Sequence, residues 1–145
     1  MVDRLVLGCG DLCLSLSSTI RDWEGELLVL DPDEQRVEHL RDLSVTAETG
    51  DVTQTDAIRS ASIEPDVIII LMDDREKATE VAYAAREVYP EAYMLSLPGV
   101  TGTSHQAPAA VDAVLSPGSM ILDVIDEHYG GVLYEQLSDL RTTLQ

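Results

Sequence analysis

A short glycine-containing turn between Leu7 and Cys13 is the first place where this sequence could do chemistry. The segment is Leu-Gly-Cys-Gly-Asp-Leu-Cys, and it lies between a strand-like run and a helical pattern. In such a turn the first glycine permits the tight bend, and the second lets the backbone approach a pyrophosphate, whose charge meets the N–H groups at the start of the helix. Gly8 and Gly10 can fill these two roles. Cys13 occupies the third position, where a glycine or alanine is usual.

An acidic residue ends the second predicted strand. Asp31 comes 18 residues after Cys13, where a carboxylate can accept hydrogen bonds from an adenosine ribose. Asp31 has an alternative role as a helix cap, although Asp33 is better placed to cap the next helix. The two acids together disfavour a 2′-phosphate, so the pattern favours NAD over NADP. If the site is functional, we expect Asp31→Ala to remove nucleotide binding with little loss of stability.

Further acidic residues follow the third and fourth predicted strands, at Asp51 and at the pair Asp73 and Asp74. Because the carboxyl ends of parallel strands share one edge of a sheet, these residues are predicted to lie near the glycine turn. Asp51 could meet an adenine amino group. Asp73 and Asp74 have the alternative of capping the helix that begins at Arg75.

The predicted nucleotide site combines the glycine turn with the ends of these strands. Its residues are Gly8, Cys9, Gly10, Asp11, Leu12, Asp31, Pro32, Asp51, Val52, Met72 and Asp73. No catalytic or metal-binding set is found beside them. The only lysine, Lys77, lacks the neighbours of a phosphate-binding loop and is not preceded by the tyrosine of a short-chain dehydrogenase. His105 is predicted to lie in a solvated loop. We therefore interpret the chain as a non-enzyme.

Apolar strand-like runs alternate with helical patterns, which predicts parallel βαβ units. We expect an α/β, Rossmann-type three-layer fold with a six-stranded, mainly parallel sheet. Strands are predicted at residues 5–7, 27–30, 44–49, 66–71, 92–97 and 112–115, and helices at residues 12–20, 34–43, 53–60 and 75–88. The chain, residues 1–145, is expected to form one nucleotide-binding domain whose strands and helices run to about residue 118. Residues 105–110 are predicted to form a loop or at most a short helix, and a C-terminal helical segment at residues 119–145 completes the prediction.

Cys9 and Cys13 are the only two cysteines, and both lie in the turn region. They have no second cysteine pair or nearby histidine with which to form a metal site. We expect two small buried thiols. A disulfide is not expected, because disulfides are rare in the cytoplasm and because the change from strand to helix need not bring the two residues together.

The charge balance is strongly acidic, with 27 acidic residues, nine basic residues and a net charge of −18. This excludes nucleic-acid binding through a basic patch. The acids are spread along ordinary helical patterns, so we predict adaptation to high salt, where self-repulsion is screened. The longest apolar run, residues 67–72, is too short to span a bilayer. With no recognisable signal segment, the chain is expected to be cytoplasmic and not inserted in a membrane.

In the order and spacing of its motifs, the sequence resembles the nucleotide-binding domain of Trk-type potassium-transport regulators, called the RCK or TrkA-N domain. The resemblance extends from residue 5 to about residue 118. It rests on the glycine turn, Asp31, Gly50-Asp51, residues 65–70 with the acids at 73–74, Ala84-Ala85-Arg86, Pro90 and residues 112–117. The chain departs from the family pattern at Cys13, at Lys77, where the family often has asparagine, and at Ser96-Leu97, where an arginine is often found.

The resemblance implies a ligand sensor that binds NAD(H), ATP or ADP, forms a homodimer and gates a potassium transporter or channel. It also implies that Gly8, Gly10 and Asp31 hold phosphate and ribose and that Asp51 and Val52 flank the adenine. The same domain type occurs in archaeal exopolyphosphatase-related proteins, ahead of a phosphoesterase domain. This chain lacks the Asp-His-His triplet of that catalytic domain, so the fused effector would be absent here.

Other interpretations of the pattern stay open. An S-adenosylmethionine-dependent methyltransferase also places an adenosine ribose on a carboxylate at the end of the second strand. AMP is a further ligand that could present its ribose to Asp31 and its phosphate to Gly10. A structural domain with a vestigial site is the third alternative.

Overall fold

Parallel strands form the sheet around which the described part of the chain is built. The computed structural model describes residues 2–15, 17–72, 74–97 and 110–114. The strands are β1 (Arg4–Leu7), β2 (Leu27–Asp31), β3 (Ala47–Thr49), β4 (Val67–Ile70), β5 (Tyr93–Ser96) and β6 (Ala113–Val114). The helices are α1 (Asp11–Ser15), α2 (Ser17–Arg21), α3 (Glu34–Asp42), α4 (Thr55–Arg59) and α5 (Arg75–Val88).

The strand order is β3-β2-β1-β4-β5-β6, and each neighbouring pair is parallel. This order confirms the predicted Rossmann-type fold, and the described sheet is parallel throughout rather than mainly so. The chain moves outward from β1 to β3 and then returns to place β4 on the other side of β1. The carboxyl ends of β1 and β4 therefore flank the crevice where the strand order reverses, which is where sheets of this type bind ligands.

Successive side chains of a central strand point to opposite faces of the sheet, and this divides the core into two layers. Leu5 and Leu7 pack with residues of α4 and α5, whereas Val6 packs with residues of α1, α2 and α3. Beyond their first residues, β1, β2 and β4 are buried. This burial is expected of parallel strands that are covered by helices on both faces. The sheet and its two helical layers form the predicted three-layer arrangement.

Most predicted elements lie close to their observed positions. The first, second, fourth and fifth strands agree with the prediction to within one residue at each end, and α5 spans the predicted residues 75–88. The predicted helix at residues 12–20 corresponds to α1 and α2, with residue 16 outside the described residues. No helix in the described part of the chain combines the length and the hydropathy needed to span a bilayer.

The third strand is shorter than predicted, because its expected first residues belong to the turn that follows α3. The Ser44 N–H donates to the Arg41 carbonyl, and the Val45 N–H donates to the Leu40 carbonyl. Ser44 has a φ of 65°, which turns the chain out of the helix. A pattern of alternating side chains does not reveal this backbone reversal.

The last predicted elements fall mainly outside the described residues. The sixth strand, predicted at residues 112–115, is described as Ala113–Val114. Of the predicted short helix at residues 105–110, the structure describes Ala110 alone, and the predicted helical segment at residues 119–145 lies wholly outside the described residues.

Arg86 of α5 links the helix to the last two strands. Its guanidinium donates to the carbonyls of Ala92 at 2.7 Å and Ala110 at 2.9 and 3.0 Å, and it pairs with the Asp112 carboxylate at 2.9 Å. Asp112 also accepts a hydrogen bond from the Met94 N–H of β5. The pKa of Asp112 lies below its ordinary value. The hydrogen bond from the Met94 N–H is the larger cause, and the Arg86 guanidinium is the smaller one. These contacts fix the edge of the sheet beyond β4.

Candidate functional site

The glycine turn connects the ends of three strands. After β1, the Gly8 N–H donates to the Leu30 carbonyl of β2 at 2.8 Å. The Gly10 N–H donates to the Leu71 carbonyl, just after β4, at 3.1 Å. The turn therefore lies at the crevice between β1 and β4, as the sequence predicts.

Gly8 is the position in the turn where a side chain has no room. Its φ is +82°, a conformation that favours glycine, and a Cβ at Gly8 would lie 2.5 Å from Cγ of Met72. Met72, which is also a predicted site residue, thus packs against the turn. The tight bend and the close approach from β4 both explain why the first residue of the motif is glycine.

Helix α1 begins at Asp11, directly after the turn. The Leu14 N–H donates to the Gly10 carbonyl at 3.2 Å, so that the second glycine starts the helix. The N–H groups in the first turn of a helix lack intrahelical acceptors and carry the positive end of the helix dipole. Asp11 and Leu12, both predicted site residues, thus lie at the helix end that favours a phosphate.

Asp31 is buried at the end of β2, with 2% of its surface exposed. Its Oδ2 accepts a hydrogen bond from the Cys9 N–H at 2.6 Å, and its Oδ1 accepts one from the Asp33 N–H at 2.8 Å. A carboxylate offers about four lone-pair positions, so acceptor capacity remains for ribose hydroxyls. Asp31 is thus placed where the sequence predicts, and it also ties the glycine turn to β2, which the sequence did not predict.

The predicted helix caps are confirmed for the residues that the structure describes. Asp33, rather than Asp31, caps α3 by accepting hydrogen bonds from the N–H groups two and three residues later. Asp74 caps α5 and accepts a hydrogen bond from the Lys77 N–H at 3.2 Å. Asp73, which was predicted as a site residue, lies outside the described residues.

Cys9 and Cys13 form a disulfide, so the expectation of two free thiols was wrong. Both residues are buried, as predicted. Their Cα atoms are 5.0 Å apart, within the range that a disulfide requires. The geometric objection fails because α1 begins only two residues after Cys9, so the chain has already curved back by Cys13 and the two Cα atoms come close.

A cleft of about 240 Å³ opens at the carboxyl edge of β1, β2 and β4. Six of the predicted site residues line it, namely Gly8, Cys9, Gly10, Asp31, Pro32 and Met72. Asp74, which the sequence places near the turn with helix capping as its alternative role, also lines the cleft, whereas the sequence did not indicate Arg36, Leu71 or Lys77 as lining residues. Arg36 and Lys77 could have been found from their positions in the first turns of helices that start at this edge.

Asp51 and Val52 follow β3 and are not among the residues that line this cleft. Asp51 Oδ1 accepts hydrogen bonds from the hydroxyl of Thr53 at 2.6 Å and from its N–H at 3.0 Å. This turn delays the start of α4 to Thr55, two residues later than predicted. The Thr53 bonds lower the pKa of Asp51, and the charge of Lys77 adds to the effect. Val52 is buried in the core. Because neither residue lines the cleft, their contact with adenine stays a prediction.

Arg36 and Lys77 are the basic side chains among the lining residues, and they differ in their partners. Arg36 donates to the Cys9 carbonyl at 3.0 Å and lies 3.9 Å from the Asp33 carboxylate. Lys77 is exposed, and the structure gives its ammonium group no hydrogen bond or ion pair among the described residues. In a chain with a net charge of −18, the cleft lining balances these two cations against the two acids Asp31 and Asp74.

Two larger depressions, of about 370 and 820 Å³, lie at the opposite edge of the sheet. Their lining includes residues next to the amino ends of β1, β2 and β4, such as Asp3, Glu26 and Asp66. Neither contains the glycine turn or a buried charged residue. Within the described residues, no group of three histidine, cysteine or acidic side chains could hold a metal ion. We therefore place the candidate site at the carboxyl edge.

A parallel sheet with a switch point, a glycine turn and a terminal aspartate defines the class of Rossmann-type nucleotide-binding domains. The chain belongs to the TrkA-N domain family, whose sequence profile matches residues 4–97. A comparison with curated proteins finds no match. The family named from the sequence is thereby confirmed.

Solved structures with similar folds include two excised domains. One is the TrkA-N domain of the inner membrane protein ybaL from Escherichia coli, with 18% identity, a TM-score of 0.67, and coverage of 89% of this chain and 98% of that chain. The other is the NAD(P)-binding domain of an exopolyphosphatase-related protein from Archaeoglobus fulgidus, with 18% identity, a TM-score of 0.69, and coverage of 88% and 96%.

The fold is also similar to part of an enzyme. Saccharopine dehydrogenase from Saccharomyces cerevisiae matches with 18% identity and a TM-score of 0.60, and the match covers 88% of this chain but 31% of the dehydrogenase. At these levels of identity the three structures support the fold.

Proposed function

We propose that this chain is a regulatory domain that binds an adenine nucleotide of the NAD type and transmits its occupancy to an effector. The observation that carries the proposal is the buried Asp31 carboxylate, which is bonded to the glycine turn at the switch point of the sheet. A buried carboxylate with spare acceptor capacity beside a helix start suits a ligand that has both ribose hydroxyls and phosphate.

The lining residues fit the parts of such a nucleotide. Asp31 would accept from the ribose hydroxyls, and the backbone after Gly10 would face a phosphate at the start of α1. The cleft of about 240 Å³ is smaller than the roughly 300–1,000 Å³ of typical ligand pockets. It therefore suits the ribose and phosphate portion, with the remainder of the ligand lying outside it.

The cationic side chains support a phosphate-bearing ligand. Lys77 lies at the cleft with no ion-pair partner among the described residues, so its charge is available to a phosphate. Arg36 is partly neutralised by Asp33 and is bonded to the turn. Because Asp31 is itself a buried anion, we propose that a ribose without a 2′-phosphate is preferred, and that NAD binds more tightly than NADP.

A regulatory role is proposed because the described cleft contains no acid, base and nucleophile set of the kind that catalysis requires. His39 lies in the later part of α3 and is exposed, away from the cleft lining. The proposed effector is a potassium transporter or channel, or a fused effector domain, and the proposed assembly is a cytoplasmic homodimer. The similar ybaL domain comes from an inner membrane protein, and the other similar domain from an exopolyphosphatase-related protein.

The main enzymatic rival is an S-adenosylmethionine-dependent methyltransferase. That class usually ends in an antiparallel hairpin, whereas β6 here lies directly beside β5 and parallel to it. S-adenosylmethionine also carries no phosphate for Lys77 or for the start of α1. These two features favour the nucleotide sensor.

Calorimetric titration in multimolar KCl tests the proposal, with NAD, NADH, NADP, ADP, ATP, AMP and S-adenosylmethionine as ligands. We expect binding of an adenine nucleotide that has no 2′-phosphate, and a loss of affinity of about tenfold in Lys77→Gln, equivalent to about 1.4 kcal/mol. Arg59→Gln is the matched control, because Arg59 is an exposed arginine at the opposite edge of the sheet. Preferential binding of S-adenosylmethionine would support the methyltransferase, and no binding would support a structural domain.

A further inference from the structure

The disulfide between Cys9 and Cys13 lies within the proposed nucleotide site. The Cys9 backbone is bonded on both sides: its N–H donates to Asp31 at 2.6 Å, and its carbonyl accepts from Arg36 at 3.0 Å. Cys9 also lines the cleft. The disulfide therefore links Cys9, which is bonded to the proposed ribose-binding carboxylate, to Cys13 in the first turn of α1.

We propose that this disulfide is a thiol–disulfide exchange site for a dithiol reductant, and that its redox state is coupled to occupancy of the adjacent nucleotide cleft. The inference rests on the proposed nucleotide-binding function. The two cysteines are four residues apart, and so short a loop constrains the unfolded chain less than a long one. The main effect of the bond is thus local: it fixes the glycine turn relative to α1.

The exchange is balanced in two steps. A thiolate of the dithiol attacks one protein sulfur and forms a mixed disulfide, and the other protein sulfur leaves as a thiolate that takes up a proton. The second thiol of the reductant, as its thiolate, then attacks the mixed disulfide and releases the remaining protein thiol. The protein disulfide gains two electrons and two protons, and the dithiol becomes a disulfide.

Burial controls access to this reaction. Cys9 is 1% exposed and Cys13 is 0% exposed, so a reductant reaches a sulfur only when the turn opens. Opening separates the Cys9 N–H from Asp31, and a nucleotide bound to both Asp31 and the turn opposes that separation. Nucleotide binding should therefore slow reduction.

The coupling acts equally in the other direction. With the disulfide intact, the turn and the start of α1 are held together before the nucleotide arrives, and less ordering is needed on binding. In the dithiol form the turn must be ordered by the ligand itself. By linkage, the ratio of the two nucleotide affinities equals the shift in the reduction equilibrium caused by saturating nucleotide. A tenfold ratio corresponds to a shift of about 30 mV in the reduction potential.

The test uses the full chain in its disulfide form and after reduction with dithiothreitol, with NAD and ATP as probes. We expect the disulfide form to bind the preferred probe at least threefold more tightly. We also expect that probe, at ten times its Kd, to slow the appearance of free thiols, measured by alkylation and mass spectrometry. The expected factor is about elevenfold if the bound form does not open.

Cys13→Ser provides the matched control, because it removes the disulfide and keeps Cys9. Its affinity should equal that of reduced wild type and should not respond to dithiothreitol. Equal affinities in the two redox states of the wild type, or a reduction rate that saturating nucleotide leaves unchanged, would overturn the redox proposal while leaving the proposed function intact. Failure of both forms to bind either probe would overturn the redox proposal, and failure of every adenine nucleotide in the calorimetric titration would overturn the proposed function as well.

Discussion

Asp31 at the end of β2 and Cys9 in the glycine turn are joined by a hydrogen bond of 2.6 Å from the Cys9 N–H to the Asp31 carboxylate. The donor and the acceptor both belong to buried residues. The Asp31 carboxylate is proposed to recognise ribose, and through this bond it also holds the glycine turn of the same candidate site in place. The proposed ligand recognition and the local stability therefore depend on the same side chain.

The first prediction concerns the stability cost of removing this carboxylate. Asp31→Ala should lower the free energy of unfolding by about 1–3 kcal/mol, because the buried Cys9 N–H loses its acceptor. This replaces the expectation from sequence that the substitution would cost little stability. Urea denaturation measures the change. Asp42→Ala, on the exposed surface at the end of α3, should change stability by less than about 0.5 kcal/mol, and an equally small effect at Asp31 would contradict the structural role.

Gly8→Ala should destabilise the domain for two separable reasons. The positive φ alone costs a residue with a Cβ about 1–2 kcal/mol, and the new Cβ would also meet Met72. A double-mutant cycle with Met72→Ala, followed by thermal denaturation, separates the two. We expect the double variant to recover the contact cost but not the backbone cost. Strict additivity of the two substitutions would show that Met72 does not restrict the turn.

Arg86→Met should loosen the β5–β6 edge of the sheet. Loss of the hydrogen bonds to buried carbonyls and of the Asp112 pair is expected to cost about 2–3 kcal/mol. Arg59→Met is the comparison, because the Arg59–Asp56 pair is exposed and such pairs contribute roughly 0–1 kcal/mol. Equal shifts of the unfolding midpoint in the two variants would show that the Arg86 contacts do not hold the edge.

The turn that precedes α4 should respond to pH through Asp51. Its pKa is lowered in the folded state by the Thr53 hydroxyl and N–H. The associated stability is therefore present above the ordinary carboxyl pKa and is lost as the pH falls through the lowered value. Thr53→Val should raise the pKa of Asp51, measured by NMR titration of its carboxyl carbon. An unchanged titration curve would show that the hydroxyl bond does not stabilise the carboxylate.

Salt should stabilise the domain. A net charge of −18 on 145 residues implies self-repulsion, which a Debye length of about 3 Å at 1 M salt removes. The thermal unfolding midpoint should therefore rise between dilute and multimolar KCl, with a monodisperse protein at the higher concentration. Equal stability at both concentrations would show that the acidic surface is not an adaptation to salt.

The central strands were predictable because their apolar runs follow directly from burial on both faces. The start of α5 was predictable as well, because Asp74 is a good cap just before a helical pattern. The start of β3 was not, because Ser44 ends α3 in a left-handed conformation for which no glycine gives a signal. Local sequence is least informative where one residue can serve two neighbouring elements.

The site was predictable in its glycine turn and Asp31, because their spacing follows from the βαβ geometry. The Cys9–Cys13 bond was missed because it depends on where the first helical turn begins. Lys77 was missed because only residues at the strand ends were predicted to lie near the turn, whereas Lys77 lies in the first turn of α5, three residues after Asp74. Side chains in the first turn of a helix can reach the same edge of the sheet as the strand end that precedes it.

Asp31 is the only buried charged side chain among the residues whose side chains the structure describes. Most of the surface acids therefore lie at positions separate from the buried carboxylate that is proposed to recognise ribose. Such a division lets a lineage change its surface composition as the salinity of its habitat changes, while the buried carboxylate and the turn stay the same. It equally lets a protein engineer replace exposed acids outside the cleft one by one while the proposed ribose-binding carboxylate is left in place.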